Sequence, residues 1–193
     1  MAMKLVLASA SPRRQELLKA AGIAFTVKPS HVPEEVRPGE LPKAYSERLA
    51  FDKANAVWQS LPAETRAASL VLGADTIVIV DEHILEKPAD NDDAKRMLRM
   101  LCGRTHQVMT TICLMGSEIR DLETAITQVH FVKVTEPELD FYVSTGEHMD
   151  KAGAYAIQGV ASRWIPWIDG DYTNVVGLPI PLVYEMLRKR QAI

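Results

Sequence analysis

The chain has 193 residues, of which 47% are hydrophobic and 24% are charged, and its formal net charge at pH 7 is −3. This composition excludes a disordered or fibrous protein, and the length predicts one domain or one domain with two lobes. The small negative charge gives no broad attraction to DNA or RNA, so we expect no nucleic-acid partner. The sequence shows no signal-peptide pattern and no apolar run of the ~18 residues that a membrane helix needs. We therefore expect a cytoplasmic protein with no membrane contact.

The beginning of the chain alternates a strand, a helix and a second strand. Lys4–Ala8 is a short apolar run that predicts a buried strand, and Ser11–Pro12 is typical of a helix N-terminus. Gly22 ends this helix, and Phe25–Val27 predicts the next strand. This order of elements indicates an α/β fold.

The middle of the chain repeats the alternation after a polar, proline-bearing loop. The loop, Pro29–Pro42, is a candidate lid or recognition segment. Lys43–Ser60 predicts a long helix, Leu70–Val80 a strand rich in β-branched residues, and Asn91–Leu101 a further helix before Gly103.

The last part of the chain predicts an antiparallel strand pair between helices. A turn at Gly116–Ser117 separates two strand-like runs, so part of the sheet is expected to be antiparallel. Thr135 and Glu138 have the spacing of a capping box at the start of a helix. The predicted elements here are strands Thr105–Leu114 and Thr124–Val134, helix Thr135–Val143, strand Trp164–Ile168 and helix Pro181–Arg190.

The segment Ser9–Arg14 lies between the first predicted strand and the first predicted helix. It places Arg13 and Arg14 in the first turn of the helix, where the exposed amides and the helix dipole are already positive. An anion such as a phosphate would offset this charge. The alternative is an ordinary Ser cap followed by solvated arginines, and the spacing alone does not decide between them.

Asp75 and Thr76 interrupt the most apolar strand of the sequence. A carboxylate in a buried strand must be paired, bind a metal or face a cleft, because burying it alone costs several kcal/mol. Asp75 is therefore a candidate catalytic residue. A structural salt bridge explains the pattern equally well.

Other charged residues lie beside small or rigid neighbours. Glu34 is in the Pro29–Pro42 loop, Lys53 in the long predicted helix and Lys87 before a proline, while Glu147–Lys151 opens a segment of small residues. Any one of them is a candidate site residue, but solvated surface is the ordinary role of Lys and Glu. The cysteines and histidines show no metal-ligand spacing, and the two cysteines are expected to be free thiols.

The tract Asp150–Gly159 combines small residues with a single carboxamide. Small residues permit close approach of a backbone or a ligand. The amide of Gln158 both donates and accepts hydrogen bonds, so it is a candidate reader of the edge of a base. A tightly packed turn and strand is the alternative interpretation.

Six segments, in order along nearly the whole chain, resemble those of one known family. They are Ser9–Arg14, Gly73–Thr76, Glu86–Pro88, Gly103–His106, Asp150–Tyr155 and Gly177–Pro179. Together they closely resemble the Maf family of nucleotide pyrophosphatases, from residue 4 to about residue 187. Each segment alone is a weak signal, whereas six in order are specific.

The resemblance implies a fold, a reaction and a cofactor. The fold is a single α/β domain over residues 1–193, similar to inosine triphosphate pyrophosphatases, with two lobes, an elongated mixed sheet flanked by helices, and an active site in a central cleft. The reaction splits a nucleoside triphosphate into a monophosphate and pyrophosphate. A divalent cation, Mg²⁺ or Mn²⁺, and a homodimer are further expectations.

The resemblance also assigns roles to residues of this sequence. Asp75 corresponds to the general base, and Asp75 with Glu34 forms the candidate metal-binding pair. The surrounding polar set is Ser9, Arg13, Arg14, Glu34, Lys53 and Lys87. Whether Asp75 is the base or a metal ligand is open at this point.

The family divides by substrate, and this chain is similar to the branch that acts on dTTP and UTP. The similarity lies at Arg13, Thr76 and Gln158. A pyrimidine presents a carbonyl and an N–H along one edge, which a Gln amide can pair in both directions. Modified pyrimidine nucleotides are an alternative substrate class with the same chemistry.

Two departures from the family pattern limit this transfer. Pro33 stands where relatives often have a second acid beside the position of Glu34, and Ser162–Trp167 is bulkier than usual. The bulky segment either narrows the pocket or forms a partner surface. A nucleotide-binding regulator of cell division or septum formation, without significant turnover, is the competing hypothesis for the function.

Overall fold

The computed structural model describes residues 3–193. The strands are β1 (Lys4–Leu7), β2 (Thr26–Val27), β3 (Ser69–Val80), β4 (His83–Leu85), β5 (Thr105–Gly116), β6 (Ile119–His130) and β7 (Trp167–Asp169). The α-helices are α1 (Pro12–Ala20), α2 (Pro42–Ser60), α3 (Ala63–Ala67), α4 (Asn91–Leu101), α5 (Glu136–Ser144), α6 (Tyr172–Val176) and α7 (Ile180–Lys189). Two short 3-10 helices, Ala152–Ala154 and Val160–Trp164, precede β7.

The strands form one seven-stranded mixed sheet, which confirms the predicted α/β class. Its order is β2-β1-β3-β5-β6-β7, with β4 paired to β3. Strand β1 runs parallel to β2 and β3, whereas the β3–β4 and β6–β7 pairs are antiparallel. No helix within residues 3–193 is long and apolar enough to cross a membrane.

The chain divides into two compact units. Unit 1 consists of the described residues up to Asp75, together with Thr110–Ala125 and Gly177–Ile193. Unit 2 consists of Thr76–Met109 and Ile126–Val176. The two lobes and the cleft between them stay predictions.

Unit 1 has a core on each face of its strands, because successive side chains of a strand point to opposite sides. Leu7 and Leu72 pack on one side with residues of α1 and α7. Val71 packs on the other side with Ala54 and Trp58 of α2. The continuous apolar character of β1 and β3 follows from this burial on both faces.

Unit 2 has one core that is rich in aromatic rings. Phe131, Tyr142, Tyr155 and Trp164 pack there against the apolar face of α4. Helix α5 begins with the predicted capping box: the carboxylate of Glu138 accepts hydrogen bonds from the Thr135 N–H at 2.8 Å and from its hydroxyl at 2.7 Å.

Two strand predictions had wrong ends. Strand β6 begins at Ile119 directly after a two-residue turn and ends at His130, earlier than the predicted Val134. The last strand covers Trp167–Asp169, while Trp164 belongs to a 3-10 helix. Pro166 has no N–H to donate to a strand ladder, which explains why pairing starts only at the next residue.

Candidate active site

Asp75 is the last residue of unit 1 and lies inside the long strand β3. It is only 4% exposed. Its side chain is on the α2 face of the strand, the face of Val71, because strand side chains alternate. Its Oδ1 atom accepts a hydrogen bond from Lys53 Nζ at 2.8 Å, whereas its buried Oδ2 atom has no hydrogen-bond partner within residues 3–193.

Lys53 joins two carboxylates from different parts of unit 1. Its Nζ atom lies 2.8 Å from Asp75 Oδ1 and 2.6 Å from Glu34 Oε1. Lys53 is buried on α2, where Ala50, Ala54 and Val57 form the apolar stripe. A lysine in such a stripe is a sequence signal for a buried ion pair, since an unpaired ammonium there would be costly.

Gly73 allows α2 to approach β3 closely enough for this ion pair. A Cβ atom at position 73 would overlap the carbonyl oxygen of Ala50 and lie 2.7 Å from the backbone nitrogen of Ala54. These are backbone atoms, so they cannot move aside without shifting the helix. The role of Gly73 as a spacer was missed in the sequence, although a Gly inside a strand often marks such a close approach.

The loop that carries Glu34 is held to α2 by two side chains. The Tyr45 hydroxyl donates to the Glu34 carbonyl oxygen at 3.2 Å, and Arg48 donates to the Glu35 carbonyl oxygen at 3.0 Å. Arg48 also forms two hydrogen bonds of 2.6 Å with the Glu40 carboxylate. The hydrogen bonds from Arg48 lower the pKa of Glu40 from 4.5 to about 2. The loop is thus anchored to α2 at Glu34 and at two residues after it.

Arg14 connects three separated segments of unit 1. Its Nε atom donates to the Gly177 carbonyl oxygen at 2.8 Å, and its Nη1 atom donates to Ser9 Oγ at 3.1 Å and to the Ala74 carbonyl oxygen at 3.0 Å. Burial lowers the pKa of Arg14 from its usual value, while the negative charges of Asp75 and Glu34 oppose that shift. Arg14 therefore helps to fix the backbone directly before Asp75.

Arg13 differs from its neighbour in having no side-chain partner within residues 3–193. It is half-buried in the first turn of α1, a turn with no acidic residue. Ser11 occupies the predicted N-cap position but makes no capping hydrogen bond through its side chain. The positive end of α1 thus carries a guanidinium that is available for an anion.

A chain of hydroxyl groups reaches the backbone of Asp75 and was not predicted. Ser46 on α2 donates to Thr111 Oγ1 at 2.9 Å, and Thr111 and Thr124 share a hydrogen bond of 2.9 Å. Ser46 Oγ also lies 3.5 Å from the Asp75 carbonyl oxygen. No pattern in the sequence indicates this contact, because its members lie far apart along the chain.

Three candidate residues belong to unit 2. Thr76 follows Asp75 in β3 and is half-buried. Lys87 is exposed between β4 and α4, next to Glu86, whose carbonyl oxygen accepts a hydrogen bond from the Gly153 N–H at 3.1 Å. Gln158 is exposed in a turn that is closed by a hydrogen bond of 3.2 Å from the Gly159 N–H to the Ala156 carbonyl oxygen.

The family model described as "Maf-like protein" matches residues 4–190 of this chain. The chain belongs to the Maf family. Three similar proteins bear the name dTTP/UTP pyrophosphatase. One from Koribacter versatilis is 54% identical and covers 97% of this chain and 94% of its own. One from Syntrophomonas wolfei is 47% identical and covers 95% of this chain and 96% of its own. One from Geobacter metallireducens is 49% identical and covers 98% of this chain and 97% of its own.

Part of the residue set implied by the Maf family is assembled within unit 1. Hydrogen bonds and ion pairs connect Lys53 with Asp75 and Glu34, and Arg14 with Ser9. Arg13 is on the same helical turn as Arg14 but makes no side-chain contact with the others in the described chain. The positions of Thr76, Lys87 and Gln158 relative to Asp75 stay predictions.

The two departures from the Maf pattern have local explanations. Pro33 is exposed beside Glu34, whose carboxylate already pairs with Lys53 without a neighbouring acid. In the bulky segment, Trp164 is buried in the aromatic core of unit 2. Trp167 is 48% exposed and stacks on His130 with the ring planes 1° apart and the ring centres 5.1 Å apart.

The acidic residues of this Maf protein fit a metal held mainly by its substrate. Within residues 3–193 no group of three or more His, Cys, Asp or Glu side chains is arranged to hold a metal ion. The unpartnered Oδ2 atom of Asp75 and the nearby Glu34 carboxylate are hard oxygen ligands. Mg²⁺ commonly binds through one or two carboxylates together with substrate phosphates, so these residues suit that mode of binding.

Proposed function

We propose that this protein is a nucleoside triphosphate pyrophosphatase that hydrolyses dTTP and UTP to the nucleoside monophosphate and pyrophosphate. Its similarity to proteins named dTTP/UTP pyrophosphatase supports the reaction and the substrates. The observation that carries the chemistry is Asp75, with one oxygen fixed by Lys53 and the other buried without a hydrogen-bond partner among residues 3–193. A carboxylate in that state is oriented and has a lone pair ready to accept a proton.

Asp75 acts as the general base in this proposal. Its Oδ2 atom accepts a proton from a water molecule, and the water oxygen forms a bond to phosphorus of the α–β anhydride. The bridging oxygen leaves with its electron pair, which releases pyrophosphate and the monophosphate. Lys53 keeps Oδ1 occupied, so Oδ2 is the oxygen that meets the water. General base catalysis of this kind contributes a rate factor of roughly 10² to 10⁴.

The cationic residues offset the charge of the triphosphate. Arg13 offers a guanidinium at the positive end of α1, and Lys87 is exposed in unit 2. Fixed positive groups stabilise the charge that develops on phosphate oxygens in the transition state. Arg14 and Ser9 support this arrangement by fixing the segment that leads from β1 into α1.

A divalent cation, Mg²⁺ or Mn²⁺, is the proposed cofactor. Asp75 Oδ2 and the Glu34 carboxylate would hold it together with phosphate oxygens of the substrate. When bound, it would polarise the phosphoryl groups and neutralise part of their charge. Asp75 Oδ2 has two lone pairs, so one would face the cation while the other accepts the proton of the water.

Base selectivity is assigned to Gln158, with Thr76 and Arg13 as further specificity residues. The exposed Gln158 amide can donate to a carbonyl oxygen and accept from the adjacent N–H of uracil or thymine. Along the edge formed by O2 and N3, cytosine presents a ring nitrogen without hydrogen in place of that N–H, so one of the two hydrogen bonds is lost. A site built for both bonds discriminates against a base that leaves one polar group unpaired.

A nucleotide panel tests the proposal. The purified protein is incubated with dTTP, UTP, CTP, GTP and ATP, with Mg²⁺, with Mn²⁺ or with a chelator, and monophosphate and pyrophosphate are quantified. We expect equal amounts of the two products, fastest from dTTP and UTP and only with metal. Pseudouridine and 5-methyl analogues on the same panel identify a preference for modified pyrimidines. Nucleotide binding without turnover of any substrate would reject the enzyme and favour a regulatory module.

A further inference from the structure

The carboxylate of Glu147 binds the backbone at the end of the turn that carries Gln158. Both belong to unit 2, and Glu147 follows α5 at the start of the segment Glu147–Lys151. The Val160 N–H donates to Glu147 Oε2 at 2.9 Å. Val160 is the first residue of the 3-10 helix that follows the turn, so the carboxylate binds the backbone two residues after Gln158.

Gly159 lets the carboxylate lie directly against this turn. A Cβ atom at position 159 would overlap the carboxylate of Glu147. Glycine therefore leaves the space that the carboxylate fills, and the Glu147 Oε1 atom is buried. Gln158 lies between the closing hydrogen bond of the turn, from the Gly159 N–H to Ala156, and the bond from Val160 to Glu147.

Glu147 is itself held in place by its own surroundings. Its N–H donates to Thr145 Oγ1 at 3.2 Å, which fixes the backbone after α5. The pKa of the neighbouring Tyr142 is raised first by burial and then by the negative charge of Glu147. A carboxylate that accepts a backbone N–H in such a setting forms a stronger bond than a neutral acceptor.

The Gln158 side chain has no hydrogen-bond partner within residues 3–193, and it is exposed. No hydrogen bond of the described residues fixes its amide, so the position of the turn sets where this side chain begins. We infer that Glu147 is a positioning residue for base recognition: it fixes the turn so that the Gln158 amide meets the edge of the pyrimidine. This inference rests on the proposed function, because it assumes that Gln158 reads the base.

The kinetic test compares four variants with the wild type. They are Glu147→Ala, Gln158→Ala, the double variant of these two, and Gly159→Ala. For each, kcat and KM are measured with UTP and CTP, and thermal unfolding is followed in parallel. A lost hydrogen bond to the base corresponds to roughly a tenfold change in selectivity.

We expect Glu147→Ala to lower the preference for UTP over CTP about tenfold, through KM, with kcat changed by less than about threefold. In the Gln158→Ala background the same change should alter selectivity less than about twofold, because the residue it positions is already absent. Effects that multiply in the double variant, or wild-type selectivity in Glu147→Ala, would overturn the inference.

Gly159→Ala provides the same test without loss of the carboxylate. The added Cβ atom would displace the carboxylate of Glu147 rather than backbone, so the melting temperature should fall no further than in Glu147→Ala. The selectivity should nevertheless fall as in Glu147→Ala. If Glu147→Ala does not fold, Gly159→Ala alone tests the positioning role. Unchanged selectivity in Gly159→Ala would then contradict the inference.

Glu138→Ala is the matched control. Its carboxylate accepts a backbone N–H at a helix start in the same unit, from Thr135 at 2.8 Å, and its contact with the Trp164 side chain lies at the far end of the 3-10 helix from Gln158. It should lower stability as Glu147→Ala does and leave the UTP to CTP ratio unchanged. An equal loss of selectivity in this control would show a general effect of destabilisation and reject the positioning role.

A measurement that needs no turnover separates this inference from the proposed function. The ¹⁵N heteronuclear NOE of the backbone amides of Gln158 and Gly159 reports order on the ps–ns timescale. It should fall in Glu147→Ala and stay at the wild-type value in Glu138→Ala. An unchanged NOE overturns the positioning role even if the enzyme is active. Absent turnover with a lowered NOE rejects only the proposed function.

Discussion

The two units of this protein hold their functional polar groups in opposite ways. Unit 1 buries charges in pairs, with Lys53 between Asp75 and Glu34. Unit 2 buries the neutral His106, hydrogen-bonded to Tyr155 at 2.8 Å, and holds an exposed turn by its backbone through the Glu147 carboxylate. Charge balance thus holds the proposed catalytic carboxylate, whereas packing and backbone hydrogen bonds hold the turn that is proposed to recognise the base.

Removing the charge of Lys53 is expected to have the largest effect on the stability of unit 1. Lys53→Met leaves the buried Asp75 carboxylate without its partner, which typically costs about 3–5 kcal/mol of folding free energy. Turnover should fall roughly 10² to 10³-fold, because the carboxylate loses its fixed orientation. Both are measured by urea unfolding and by pyrophosphate release.

Lys43→Met on the same helix is the control for that variant. Lys43 is exposed and lies 3.7 Å from Glu47. Such a surface pair contributes little, so stability and turnover should remain near the wild-type values. A similar loss in both variants would show that the helix, and not the buried pair, is responsible.

The sequence singled out Asp75 because a carboxylate inside a run of apolar residues stands out, and the structure shows it buried in an ion pair with Lys53, while its catalytic role stays a prediction. It did not predict the contacts of Arg14, whose partners Ala74 and Gly177 are 60 and 163 residues away along the chain. Local patterns report periodicity and capping, so they predicted the long helices well. They do not report which distant backbone oxygen meets a given side chain.

The spacing between α2 and β3 is the next way to disturb unit 1. Gly73→Ala places a methyl group against the backbone of α2 near Ala50 and Ala54. Overpacking of this kind costs about 1–3 kcal/mol, and the shift of α2 should also move Lys53 and lower turnover at least about tenfold. Denaturant unfolding and steady-state kinetics measure the two losses.

Gly116→Ala is the comparison for Gly73→Ala. There the added Cβ atom would lie 2.9 Å from Leu70 Cδ2, the end of a flexible side chain. We expect a smaller loss of stability and wild-type turnover. If Gly116→Ala lowered turnover as much as Gly73→Ala, the spacing of α2 would not be the cause.

The buried His106 of unit 2 should make the stability of the protein depend on pH. Burial and then the charge of His130 lower the pKa of His106 from 6.5 to about 3. Between these values the unfolded chain binds a proton at this residue and the folded chain does not. Stability is therefore fully present above pH 6.5 and falls as the pH is lowered towards 3, by about 1.4 kcal/mol per unit from this residue.

Replacing His106 by Gln should remove this part of the pH dependence. The unfolding free energy in urea is measured between pH 7.5 and 4.5 for the wild type, His106→Gln and the control His83→Gln, whose residue is exposed in β4. The variant at position 106 should show the flatter profile. Equal slopes in all three proteins would contradict a neutral buried His106.

The smallest expected effect is at the exposed Gln158. Gln158→Ala should leave stability within about 0.5 kcal/mol, as expected for a surface position, and reduce the preference for UTP over CTP about tenfold. Kinetics with both substrates and a thermal melt measure this. A stable variant with unchanged preference would remove Gln158 as the base reader.

Other expectations from the sequence concern matters beyond a single chain. The metal, the homodimer, the cytoplasmic location and the cleft between the units stay predictions. Local patterns in the sequence do not determine any of them. The sequence showed that the segment Ser162–Trp167 is bulky, but not that the exposed Trp167 stacks on His130. Residue spacing alone does not determine whether a partner protein covers such a surface.

The most direct test of the central claim compares the wild type with Asp75→Asn, measuring dTTP binding and pyrophosphate release on the same samples. Asn keeps an oxygen for Lys53 but is a poor proton acceptor, so binding should stay within about tenfold while turnover falls at least about 10³-fold. Asp52→Asn, on α2 and paired with Arg48 at 3.8 Å, should behave like the wild type. Turnover above about a tenth of the wild-type rate in Asp75→Asn would contradict the account.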